Sequence, residues 1–143
     1  MEKETMRLGI FTAATAVTLV AGLAFATESA PGAKEYFINL KDGQHVKSPV
    51  LIQFGLAGMG VAPAGSTNPA TGHHHLLIDG DLPAAGIPIP MDEKHMHFGR
   101  GQTEVSVPLM PGTHVLELAL ADGAHILHTP PVISDKITIT VDP

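Results

Sequence analysis

From residue 34 onward, apolar and polar positions alternate in short bursts, and each burst is closed by glycine or proline. A period of two over four to eight residues is the signature of β-strands with one buried face. Tyr36 to Leu40 reads as a first strand, and Lys41-Asp42-Gly43-Gln44 as the turn that ends it. Pro49 opens a second strand through Val50, Ile52 and Phe54, and the Gly-, Ala-, Pro- and Ser-rich stretch from Gly55 to Gly72 reads as a long loop. His74, Leu76 and Ile78 then alternate with His73, His75 and Leu77 up to the turn Asp79-Gly80. Pro83, Pro88 and Pro90 allow at most a broken edge segment between Asp81 and Glu93. Strands follow at Gln102 to Leu109, at His114 to Leu120 and at Lys136 to Val141. None of these segments has a helical period.

Six or seven short strands with regular turn signals predict an all-β domain, an antiparallel β-sandwich of immunoglobulin-like topology. In that arrangement, with the Pro-rich segment as the fourth strand of its sheet, three loops share one end of the sandwich. They are the loops before His73, before Gln102 and after Ala121. His45 and His114 are expected at the other end.

A different pattern occupies the N-terminus, where Lys3 and Arg7 precede a largely apolar run from Leu8 to Ala26 ending in Ala24-Phe25-Ala26. That is the layout of a secretory signal peptide cleaved after Ala26. The run is also near the length of a membrane span, so membrane attachment is expected only if cleavage fails. The chain therefore divides into a signal peptide (1–26), a polar linker (27–34) and one His-rich β-sandwich domain (35–143), with a periplasmic or secreted location.

Composition narrows the chemistry. The mature part keeps one arginine, Arg100, and is mildly acidic, so it lacks the basic patch that nucleic acid requires. With no cysteine in the chain, disulfides are absent and a metal site is limited to His, Met and carboxylate ligands. Of nine histidines, eight lie between residues 73 and 128. Imidazole is the commonest protein metal ligand and titrates near neutral pH. In an extended chain the His-x-His spacing of His73 and His75, and of His95 and His97, places two rings on one side of the backbone. With His125 and His128 in the loop after Ala121, these six residues are the predicted metal ligands. His74 and His114 are in phase with leucines and read as buried or rim residues, and His45 as a solvated turn residue. Copper ranks first as the ion and zinc second, because imidazole suits both and copper(II) binds nitrogen donors most tightly. Met59, Met91, Met96 and Met110 are candidate thioether ligands for copper(I), although packing is their ordinary role.

The tracts GHHHLLIDG, HMHFGRGQTE and PGTHVLELALADGAH, with the opening YFINLKDGQHVKSPVLIQFGLAGMGVAPAG, resemble a family of small secreted bacterial domains of unassigned function. The resemblance covers nearly all of the mature chain. It implies an exported location and a signature that includes His73, His74, His75, His95 and His97, and it implies no activity.

The function expected from these residues is periplasmic transition-metal binding, as carrier, buffer or sensor, with the ion and another periplasmic protein as partners. The alternative is a metal-free exported interaction module whose clustered histidines respond to pH. A copper redox enzyme, with Arg100 guiding an anion, is the third reading. Nucleophilic and phosphate-loop motifs are absent from the sequence. Asp79 and Glu93 read as solvated turn acids.

Overall fold

The structure, a computed structural model, describes residues 26–143. The signal-peptide expectation therefore lies outside the described residues, apart from Ala26. Ten strands follow in order: β1 (Lys34–Phe37), β2 (Gln44–Lys47), β3 (Val50–Ala57), β4 (Gly60–Val61), β5 (Thr71–Ile78), β6 (His95–His97), β7 (Glu104–Val107), β8 (Gly112–Ala121), β9 (Leu127–Ile133) and β10 (Ile137–Asp142). The described residues include no helix, and so none long and apolar enough to cross a membrane.

The strands form two sheets. One has the order β1-β3-β7, and the other β2-β10-β8-β5-β4, with β6 paired to β5 and β9 to β8. Val50, Ile52, Phe54 and Val107 from the first sheet pack against Leu76, Ile78, Leu116, Leu118, Ile139 and Val141 from the second. That is an all-β sandwich with immunoglobulin-like strand order. Pairing is antiparallel except for β2 with β10 and β4 with β5, which are parallel.

Three strands were not anticipated, of which β4 forms within the stretch expected as a long loop and pairs with the start of β5. β2 grows out of the expected turn at Gln44 and pairs with the end of β10. β9, in a stretch where the sequence predicts no strand, contains Pro130 and Pro131, which have no N–H to give to a ladder. They are accommodated because β9 shifts register against β8 between Leu120 and Ala121, and Leu127 and Val132 pair on either side of the bulge. β9 and β10 together line one edge of β8, and β5 lines the other.

The Pro-rich segment between β5 and β6 does not supply a fourth strand to the smaller sheet, as the sequence suggested. It folds over the outer surface of the larger one. There Leu82 and Ile89 pack on Leu77, Ala119, Ala121 and Leu127 as a second, smaller core. The segment is held at both ends: Ile78 N donates to Lys94 O, and Ile89 N donates to His125 O. Prolines without N–H groups suit a cover that makes few backbone bonds. As a result β5 is buried on both sides, with His74, Leu76 and Ile78 toward the sandwich core and His73, His75 and Leu77 under the cover.

Residues 27–33, expected as a linker, lie against β9 and the turn before it. Ser29 N donates to Thr129 O, Thr129 N to Thr27 O, and the Thr27 hydroxyl to Asp122.

Candidate metal centre

Register in the larger sheet gathers the histidines. His73 and His75 lie two residues apart on β5, opposite Ala121 and Ala119 of β8. The two alanines leave the volume that the imidazoles fill. On the other edge of β5, His97 of β6 pairs with His75 and shares its side of the sheet. The fourth ring comes from the turn that follows β8. Asp122 shapes that turn: its Oδ1 accepts from Ala124 N and Ile126 N at 2.9 and 3.0 Å. Within it His125 adopts a left-handed backbone with φ of 67°, unusual for a residue with a side chain, and its carbonyl accepts from Ile89 N of the cover.

The four rings form a compact group. His73 and His75 Nε2 atoms are 3.0 Å apart, and those of His97 and His125 are 3.1 Å apart. His73, His97 and His125 each present a nitrogen within 4.8 Å of the others, enough for one ion. Two nitrogens bound tetrahedrally at about 2.0–2.1 Å from a metal stand about 3.3–3.4 Å apart. The short pairs therefore need only a few tenths of an ångström of adjustment. His75 lies outside that three-residue group, with its Nε2 3.0 Å from that of His73.

Burial grades the site. His73 and His75 are 0 % exposed, whereas His97 and His125 are half-buried and form its mouth. Burial and the neighbouring rings His73, His97, His125 and His95 push the His75 imidazole down to about 2. Burial, His125 and His97 push His73 down to about 4 against the opposing charge of Asp122. Burial and then His125 also lower His97. These rings are neutral at physiological pH, the form that binds metals. The Nδ1 atoms of His73 and His75 are buried without a hydrogen-bond partner.

The other predicted ligands stand apart. His95 shares the side of β6 with His97, as the spacing required, but both its ring nitrogens are occupied. Nδ1 donates to Asp92 at 2.7 Å and Nε2 to the Asp81 carbonyl at 2.9 Å. Burial opposes its charge, yet these two acceptors outweigh it and hold His95 above the usual histidine range. His128 is buried with its ring against Gly72, and its Nδ1 faces Leu120 O at 3.4 Å. His74 points into the sandwich core and donates from Nδ1 to the buried Glu35 at 2.8 Å. His45 pairs with Asp142, and His114 with Asp79, at the far end of the sandwich. The Asp79 carboxylate, read as a plain turn acid, thus caps Val115 N and His114. Of the candidate methionines, Met96 packs in the core, while Met91 and Met110 are exposed.

Sequence reading missed Asp122 and Gly99. A Cβ at Gly99 would overlap the His97 ring, 2.6 Å from Nε2, so glycine makes room for that ligand.

A family model described as a domain of unknown function matches residues 52–142. The chain belongs to the DUF4399 family. The DUF4399 match takes in all four clustered histidines together with Gly99 and Asp122, whereas β1, β2 and Glu35 precede it. No curated protein and no solved structure matches the chain.

Proposed function

We propose that this domain binds one transition-metal ion, copper first and zinc second, through His73, His75, His97 and His125, and serves as a carrier or buffer outside the cytoplasm. The observation that carries this reading is the convergence of four imidazoles from β5, β6 and the turn after β8, with Nε2 atoms paired at 3.0 and 3.1 Å. Four rings crowded nitrogen to nitrogen gain little from one another, because at most one proton bridges each pair. A cation satisfies all four. The half-buried mouth at His97 and His125 gives the ion, or a protein that delivers it, a way in. The exported location rests on the N-terminal pattern of Lys3, Arg7 and the run to Ala24-Phe25-Ala26.

The test is a competitive copper and zinc titration of residues 27–143 beside two variants. Submicromolar binding of one ion is expected, weakened at least 100-fold in the His97→Ala, His125→Ala double variant and unchanged in His95→Ala. Weak binding shared by all three proteins would overturn the proposal.

A further inference from the structure

We infer that the site selects the monovalent cuprous ion over divalent copper and zinc. This rests on the metal-binding reading and goes beyond it to the charge of the ion.

The first observation is the shape of the ring cluster. Its six centroid separations are 4.8, 4.8, 4.9, 5.1, 5.9 and 4.6 Å. A square of ligands has two equal diagonals about 1.4 times its edges. Here the two separations that would be diagonals, His75 to His125 and His73 to His97, are 5.9 and 4.8 Å. The second equals an edge. The ring centroids thus mark a somewhat stretched tetrahedron, and the donor nitrogens of His73, His97 and His125 close on one another within it, whereas copper(II) prefers a tetragonal arrangement of nitrogen donors. Tetrahedral nitrogen ligands suit zinc and copper(I).

Charge separates those two. Among the described residues the candidate ligand group contains only histidine, and the chain has no cysteine. Asp122, the carboxylate of the His125 turn, is spent on Ala124 N, Ile126 N and the Thr27 hydroxyl. A bound ion therefore receives no compensating charge from a ligand, and only the carboxylate of Asp122, outside the ligand group, opposes it from a distance. Ligating histidines ordinarily pass part of that charge to an acceptor at their second nitrogen. The Nδ1 atoms of His73 and His75 have no such acceptor, and the same side of the sheet carries the apolar cluster of Leu77, Ile89, Ala119, Ala121 and Leu127. The cost of moving an ion out of water grows as the square of its charge, so a divalent ion pays about four times what a monovalent one does. Neutral ligands in an apolar recess offset that difference poorly.

The experiment is an anaerobic titration of residues 27–143 with copper(I) against a chromophoric cuprous chelator, with parallel copper(II) and zinc(II) titrations. A His97→Asp variant is treated likewise. His97 is half-buried at the mouth, so the substitution adds a negative ligand without disturbing the core. Copper(I) is expected to bind at least tenfold more tightly than either divalent ion. For copper that tenfold raises the reduction potential by about 59 mV relative to the free couple. In His97→Asp the preference is expected to shift at least tenfold toward the divalent ions. A cuprous preference below tenfold, or a ratio unmoved in His97→Asp, overturns the inference while metal binding stands. Failure of all three ions to bind overturns both.

Discussion

His125 carries its imidazole on a backbone that an L-residue adopts only at a cost of about 1–2 kcal/mol. Asp122 and the Ile89 amide hold the turn in that conformation, and the result is a ring aimed at His97. Strain kept at such a point is a sign that the side chain matters more than local comfort. His125→Gly should therefore relieve the backbone while deleting a ligand. Part of the relief is cancelled by the greater freedom of glycine in the unfolded chain. The expected outcome is a metal-free denaturation midpoint equal to or above the parent's, by less than about 1 kcal/mol, with metal affinity reduced at least tenfold. A loss of stability would mean that the turn, and not the ring, is what His125 provides.

At the scale of the element, β5 and β8 use their two sides for different purposes. Leu76 and Leu118 build the sandwich core, whereas His73 and His75 face Ala121 and Ala119 under the cover. Substitutions on the two sides of β8 should separate accordingly. Leu118→Ala is expected to cost about 2–5 kcal/mol and leave affinity unchanged. Ala121→Leu should cost about 1–3 kcal/mol by overpacking and also displace His73, lowering affinity; denaturant melts and metal titrations on both variants check this. The alternation of His73 to Ile78 was legible in the sequence because a period of two survives without knowledge of neighbours. So was the shared side of His73 and His75, whereas the grouping of loops was argued from a fourth strand that the Pro-rich segment does not form. The departure of His95 was not legible, since its partners Asp92 and the Asp81 carbonyl come from an irregular segment that carries no period. β9 was hidden by its two prolines, and the space for His97 at Gly99 is visible only when the loop is folded.

For the whole molecule, the cover over the larger sheet converts an exposed row of histidines into a buried one, and acid should expose the cost. The depressed His73 and His75 are neutral in the folded state down to about 4 and 2, while in the unfolded chain they take up protons below about 6.5. Their effect is nil above that value and destabilising as pH falls, by up to about 1.4 kcal/mol per pH unit for each ring. His114, raised by the Met110 carbonyl against burial and then by Asp79, works in the opposite direction, as does His95; both add stability in acid that disappears as pH rises through their folded values. The two large shifts dominate. Melts in chelator at pH 7.5, 5.5 and 4.5 should therefore show falling stability, and an unchanged melting temperature would contradict the burial of these rings. The grading of the site, with two rings deep and two at the mouth, also has a kinetic meaning. An ion held by all four faces solvent only on the side of His97 and His125, so simple escape into water must break the deep bonds last and is slow. A competing ligand that first replaces the two outer rings meets no such barrier. Dilution and exchange should then differ widely in rate, with departure accelerating in proportion to the concentration of the acceptor.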